Sequence, residues 1–247
     1  MDTEPRNKQL GDLDPARIPA HVGIIMDGNG RWAQARGLSR SAGHRAGTEN
    51  LRRVLQAAGE YGVRILTLYA FSTENWTRPR PEVLALMVLA RTALAREIDE
   101  LDRRGVQIRI IGRREALDAT LRQALAAAEE RTRANRALTV NIALNYGGRA
   151  DIVDAVRALI ASGVRPEDVD EEAIGRHLST EGQPDPDLII RTAGEMRLSN
   201  FLLWQAAYAE FYATPILWPD FGPEDLYQAL LAYQARRRRF GGLDKPA

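Results

Sequence analysis

The 247-residue chain contains no cysteine. Disulfides, zinc–thiolate sites and a cysteine nucleophile are therefore excluded, and a cytoplasmic enzyme is the expectation. Charge of one sign is missing too. Lys plus Arg number 34 against 33 Asp plus Glu, so the formal net charge is +1. No global field draws the protein to nucleic acid or to an anionic membrane. Any positive site must be local. Long hydrophobic runs are absent as well. The most apolar late stretch, 201–218, is interrupted by Gln205 and Glu210, and the start of the chain is polar and mixed in charge. Neither a transmembrane helix nor a signal peptide is expected. A lipid substrate would be met from the water side or carried in a tunnel, with at most peripheral membrane contact. Two phosphate loops are missing: there is no GxxxxGK[ST], and no GxGxxG opens a helix after a strand. Ordinary nucleotide binding is thereby disfavoured.

What remains is the composition of a soluble globular protein, 45% hydrophobic and 27% charged. No repeat, low-complexity segment or linker divides it. Residues 1–17 read as a flexible arm and 18–247 as one domain. Short apolar runs at 22–26, 65–71, 106–111, 138–144 and 188–190 read as buried strands. Helical patterns lie at 48–60, 82–104, 115–134, 150–161, 171–178 and 224–239. This alternation predicts an α/β domain with a mostly parallel central sheet covered on both faces. Ligands in such sheets bind beyond the carboxyl ends of the strands.

The 82–104 helix is unusual because its first half is apolar all round. Such a helix needs two apolar neighbours. It is buried between the sheet and another helix or subunit, or one face lines a channel with space left by Ala85, Ala90, Ala93 and Ala95. Periodicity does not separate these readings.

The densest chemical signal starts at His21, in HVGIIMDGNGRWA. An apolar strand ends in Asp27, Gly28, Asn29, Gly30 and Arg31. Asp-Gly and Asn-Gly are hairpin residues, but a hairpin needs a matching strand next. Instead the following residues are polar and then helical. The alternative is a site in which glycines allow close backbone approach, N–H groups and Arg31 face phosphates, and Asp27 holds magnesium. Arg36, Arg40, His44 and Arg45 follow, as a second set of phosphate donors or as a solvated basic face. YAFSTENWTRP, from Tyr69, supplies Ser72, Asn75 and Arg78 at another strand end. NYGGR, from Asn145, reads first as a tight strand–helix turn. Arg191, Arg197 and Ser199 around Ala193-Gly194 form a second anion pocket. Two phosphate pockets flanking one acid suggest two phosphorylated substrates joined together. The acidic cluster Glu167 to Glu172 reads as helix capping rather than a metal site. The run Arg236 to Arg239 reads as a solvated face.

Taken together, HVGIIMDGNGRWA, GHRAG from Gly43, YAFSTENWTRP, NYGGR, LIIRTAGEMRLSNFLLWQAAYAEFY from Leu188, LWPDF from Leu217 and the terminal Arg239-Phe240-Gly241 resemble the cis-prenyltransferases. Undecaprenyl diphosphate synthases are the most similar members. The resemblance implies a homodimer whose subunits each hold an apolar tunnel between sheet and helices. It implies Mg²⁺ on Asp27, with Glu210 near the metal. Gly28, Asn29, Gly30, Arg31, Arg40 and His44 would hold an allylic prenyl diphosphate. Arg191, Arg197 and Ser199 would hold isopentenyl diphosphate, with Arg239 and Gly241 completing that site across the dimer. Trp32, Glu74, Trp76 and Arg78 would assist substrate binding, and Ser72 and Asn75 would lie near the reacting carbons, Asn75 with a catalytic role beside Asp27. The implied product is a Z-polyprenyl diphosphate, undecaprenyl diphosphate for the cell-wall lipid carrier. Shorter-chain and irregular-coupling synthases share the pattern. Ala193 stands where glycine is common, and Ala90 and Arg91 replace bulkier apolar residues, which affects tunnel width. A haloacid-dehalogenase-like phosphatase also begins with a strand ending in Asp, but it wants an aspartate where this chain has Asn29. A trans-prenyltransferase would be all-helical. A non-catalytic partner subunit would lack the acid and phosphate groups that this chain keeps.

Overall fold

The structure, a computed structural model, describes residues 13–236. Arg239 and Gly241 lie outside the described residues. In chain order the elements are β1 (His21–Ile25), α1 (Asn29–Gln34), α2 (Arg40–Glu60), β2 (Ile65–Ser72), α3 (Arg80–Arg103), β3 (Val106–Ile111), α4 (Ala119–Thr132), β4 (Leu138–Tyr146), α5 (Gly148–Ala161), α6 (Glu171–Gly175), β5 (Leu188–Arg191), β6 (Glu210–Ala213) and α7 (Pro223–Gln234). The six strands form one sheet in the order β3-β4-β2-β1-β5-β6. Every pairing is parallel. Apolar runs without polar alternation dictate this: β1 and β5 are buried at every position and need cover on both faces. The connection from β1 leads to β2 on one side, while β5 leads to β6 on the other. The two directions part between β1 and β5, which makes the carboxyl ends of those strands the natural place for a ligand.

One face of the sheet packs Val22, Ile24, Leu66, Leu68 and Ile190 against α2 and α7. Farther along the sheet, Phe71, Ile108 and Leu144 pack against α3 and α4. The opposite face carries Ile25, Ala143 and Ile189, covered by Phe201 and Leu202. Gly23 faces this side too; a Cβ there would lie 2.6 Å from Ile189.

Several boundaries differ from the sequence expectations for physical reasons. β6 is an addition to the expected strands: its four residues sit inside a long apolar stretch and are too short to carry a pattern of their own. α1 replaces an open turn: Gly28, at φ 104°, caps a helix that starts at Asn29. α2 begins at Arg40, eight residues before the predicted start, because Gly43 and Gly47 are close-contact positions and not helix breaks. α4 starts after Asp118, whose side chain accepts from Leu121 N. The acidic cluster does cap a helix, through Asp170 and the N–H of Ala173. The described part of the expected N-terminal arm is packed: Leu13 joins the core and Asp14 N donates to Gln234. On α3, Leu84 and Val88 are more than half exposed, so the apolar girdle is not buried all round within this chain.

A polar chain crosses the core. Asn141 Nδ2 donates to Thr67 Oγ1 at 2.9 Å, and Thr67 Oγ1 lies 2.7 Å from His21 Nε2. His21 Nδ1 is 2.7 Å from the Pro184 carbonyl. A carbonyl only accepts, so the proton sits on Nδ1, and Nε2 accepts from Thr67. Burial holds the His21 pKa below its ordinary value, against the opposing Pro184 bond and Asp187 charge. The unfolded chain therefore binds more protons between that lowered value and about 6.5, and stability rises with pH through this window. We predict a higher unfolding free energy at pH 7.5 than at pH 5.5 in urea titrations; a flat profile would contradict a buried neutral His21.

Candidate active site

The carboxylate of Asp27, two residues past β1, accepts from Arg191 Nη2 at 2.9 Å and from Gly28 N at 2.7 Å. Arg191 ends β5 opposite Ile25, and its side chain is 4% exposed. Its other amino group, Nη1, donates to Ser199 Oγ at 2.7 Å and to the Arg197 carbonyl. Carboxylate, guanidinium and hydroxyl thus form one fixed row across the β1–β5 switch. Thr192 locks it: its hydroxyl accepts from Asp27 N and donates to the Asp27 carbonyl. Sequence reading missed Thr192, since a β-branched residue after a strand looks like strand filler.

Beyond Arg191 the backbone is strained. Ala193, Ser199, Asn200 and Leu202 all have φ between 45° and 71°. Each such non-glycine residue costs about 1–2 kcal/mol, tolerated where surroundings over-determine it. Asn200 is held by two loops through three hydrogen bonds. It donates to Glu74, accepts from Arg149 N, and its carbonyl accepts from Gly148 N. The NYGGR turn therefore borders the cleft, with Arg149 in its lining. Gly147 is required for this approach, as a Cβ there would lie 2.7 Å from Asn200 Nδ2.

A second cluster faces the first. Glu82, in the first turn of α3, places Oε1 at 3.2 Å from Arg78 Nη1, 3.4 Å from Arg40 Nη2 and 3.5 Å from His44 Nε2. Burial alone would raise the Glu82 carboxyl; the charges of Arg40 and Arg78 more than offset it and hold it low. Burial lowers the His44 pKa, with Arg78 adding to the effect and Glu82 opposing it. Glu82 gave no sequence signal because an acid in a first helical turn is ordinary.

Nine of the expected residues meet in this cleft: Asp27, Asn29, His44, Ser72, Glu74, Asn75, Arg78, Arg191 and Ser199 line it. Gly28 is buried behind it, and its N–H is given to Asp27 rather than held open. Gly30 lies against the Arg40 guanidinium. Arg31 reaches from Asp27 to Glu195 and donates to the Ala193 carbonyl. Others are directed elsewhere. Trp32 donates to Asp220 and carries Arg36 on its ring. Trp76 donates to Asn145 and packs edge-on against Phe71. The Arg197 side chain pairs with Glu195 at the surface. Arg45 lines an outer groove between α2 and α3. Glu210 is not brought to Asp27 within the chain. It opens β6 in register with Leu188, at the far end of the strands, and pairs with Arg236.

Two buried polar atoms without a hydrogen bond lie here, Asn29 Oδ1 and Arg191 Nε, while His44 Nε2 has only the 3.5 Å approach of Glu82. Such atoms cost stability unless something meets them. No group of three or more His, Cys, Asp or Glu suited to a metal occurs among the described residues. The 34% exposed Asp27 carboxylate nevertheless fits a hard cation that completes its shell with ligand oxygens and water. Contiguous with the cleft, an apolar cavity runs between α2, α3 and the sheet; both are lined by Met26, His44, Tyr69 and Leu86. Ala90 and Ala93 line that cavity. No helix among the described residues is long and apolar enough to cross a membrane.

An open parallel α/β sheet with an anion-receiving row at its switch point defines an enzyme for a charged head, and the cavity behind it suits an apolar tail. The chain belongs to the prenyltransferase family of undecaprenyl diphosphate synthase, whose model matches residues 25–241. The isoprenyl transferase of Heliobacterium mobile is 54% identical over 235 residues, 94% of this chain and 90% of that protein. That of Rhizobium meliloti is 52% identical over 241 residues, 96% and 98% of the two chains. Among solved structures, lavandulyl diphosphate synthase from Lavandula x intermedia, in complex with dimethylallyl diphosphate, aligns with a TM-score of 0.88 at 41% identity. It covers 92% of this chain and 99% of that one. A probable undecaprenyl diphosphate synthase from Campylobacter jejuni aligns with a TM-score of 0.77 at 30% identity, covering 90% and 98%. The protein is a prenyltransferase of isoprenoid biosynthesis, a class that acts on diphosphates and generally uses a divalent metal.

The turn that carries Asp27 depends on α2. A Cβ on Gly43 would lie 2.1 Å from the Asn29 carbonyl oxygen. On propensity alone, alanine at a mid-helix glycine stabilises by about 1 kcal/mol. Here the clash reverses the sign. We predict that Gly43→Ala lowers stability by about 1–3 kcal/mol in urea unfolding and lowers turnover by displacing Asn29. A gain in stability with full activity would show that the close approach is not required.

Proposed function

We propose that this protein is a Mg²⁺-dependent cis-prenyltransferase that condenses isopentenyl diphosphate with an allylic prenyl diphosphate. The supporting observation is the continuity of the Asp27–Arg191–Ser199 row with the apolar cavity. An amphipathic substrate needs both, its diphosphate in the cleft and its tail in the cavity. Arg40, His44, Arg78 and the Asp27–Arg31 turn receive the allylic diphosphate. Arg191, Arg197 and Ser199 receive the isopentenyl diphosphate. When bound on Asp27, Mg²⁺ would neutralise charge on the departing diphosphate oxygens. The allylic carbon–oxygen bond breaks as the isopentenyl double bond forms a new carbon–carbon bond. A proton is then lost, leaving the new double bond in the cis configuration. The chain's contribution is positioning and preorganised positive charge. Ser72 and Asn75, at the end of β2, stand beside the reacting carbons. Trp32 and Trp76 act by supporting the loops on either side, and Glu74 by fixing Asn200.

The product we propose is undecaprenyl diphosphate, the lipid carrier of cell-wall synthesis. The enzyme works as a cytoplasmic homodimer, in which Glu210, Arg239 and Gly241 act across the subunit boundary. A second reading, a short-chain or irregular-coupling synthase, is favoured by the likeness to lavandulyl diphosphate synthase.

Incubation with labelled isopentenyl diphosphate, Mg²⁺ and a series of allylic primers, followed by sizing of the product, tests the proposal. Elongation by successive additions is expected, and chelation of the metal should abolish it. A single addition, or coupling of two allylic molecules, would establish the second reading. Asp27→Asn should abolish turnover, and near-normal activity would sink the assignment. Asp27→Ala leaves the buried Arg191 cation without its carboxylate, and should also cost about 1–3 kcal/mol of stability.

A further inference from the structure

The cavity-facing stripe of α3 runs Leu86, Ala90, Ala93, Glu97 and Leu101, at helical spacing. Glu97 is the one charge in that stripe. Its side chain is 15% exposed, and it lines the cavity together with Arg52 of α2. Arg52 places Nε and Nη2 each 2.7 Å from Glu97 Oε2. Arg96 Nε donates to Glu97 Oε1 at 2.8 Å. Leu51 and Leu55 flank Arg52 in the same lining. An ion pair thus interrupts the otherwise apolar α3 stripe, eleven residues and about 16 Å along the helix from Leu86 at the cleft.

Nothing in the diphosphate chemistry uses this pair. Neither residue lines the cleft that holds Asp27, and no fold requirement calls for a carboxylate where Leu94 and Leu101 pack nearby. Its place matters to a growing tail. Each added five-carbon unit gains from leaving water until the tail reaches the pair. Covering Glu97 and Arg52 then strips water from a charged group, and that cost is of the same size as the gain from one more unit.

We propose that the Arg52–Glu97 pair is a specificity-determining polar stop: it interrupts the apolar lining and limits the length of the prenyl chain that the cavity accepts. This rests on the elongating function proposed above.

The test is the product-length distribution of purified full-length protein, given labelled isopentenyl diphosphate, Mg²⁺ and one allylic primer. The double variant Arg52→Leu/Glu97→Leu removes both charges and keeps the wall filled. Its most abundant product should be longer than that of the wild type by at least one five-carbon unit. Glu97→Gln is nearly isosteric, still bonds to Arg52 and should shift the distribution in the same direction by less. Circular dichroism and thermal melting establish that each variant is folded; if the double variant does not fold, Glu97→Gln decides alone. Unchanged or shorter products overturn the stop while leaving the prenyltransferase reading intact. A wild type that elongates no allylic primer overturns the elongating function, and the stop falls with it.

Discussion

The ion pair between Asp27 and Arg191 is the contact on which the site is built. It joins the ends of two adjacent strands, β1 and β5, at the place where the sheet's connections part. Arg191 is nearly fully buried, so its charge must be compensated, and Asp27 and Ser199 are what compensate it. That requirement fixes the carboxylate's position before any substrate arrives. Thr192 then ties the Asp27 backbone to the same strand end. A preorganised row of this kind loses little on reorganisation when negative charge develops beside it, which is what displacement of a diphosphate demands.

The rest of the cleft is assembled by close approach. Gly43 and Gly47 let α2 lie against Asn29, and Trp218 reaches over to donate to the Gly47 carbonyl. Asn50 closes this corner by donating to the carbonyls of Trp218 and Phe221. GHRAG and LWPDF, remote in sequence, are therefore parts of one joint. Gly147 does the same for the opposite wall. In both places glycine serves proximity rather than a turn, which a sequence shows only as a break in helical pattern.

That distinction explains what was legible. Five of the six strands were readable: β1 and β5 because burial on both faces leaves them apolar, and the edge strand β3 because Val106, Ile108, Ile110 and Ile111 mark it at its predicted bounds. Asp27, Arg191 and Ser199 were readable as polar groups stranded at apolar strand ends. The start of α2 was not, since glycines at 43 and 47 argue against helix until the neighbouring α1 is known. β6 was hidden because an edge strand of four residues needs only its partner's free edge, not a pattern of its own. Glu82 and Thr192 were hidden because each has an ordinary local reading, and only tertiary contact makes it part of the site. Glu210 shows the converse. A motif places it with the metal, but its register in β6 puts it at the other end of the sheet within this chain.

The wall between α2 and α3 gathers these points into one polarity profile. Near the cleft, one carboxylate, Glu82, stands among Arg40, Arg78 and His44, which leaves a surplus of positive charge there. Deeper in, Leu86, Ala90 and Ala93 offer no polar group. Deeper still, Glu97 restores charge, with its carboxylate held by both Arg52 and Arg96. Cations that crowd one carboxylate beside an open cleft can meet an anion, whereas charges that hold one another against an apolar lining resist being dehydrated. The same residue types thus do opposite work at the two ends of the cavity. On the function proposed above, that difference would orient an amphipathic substrate before it makes any specific contact.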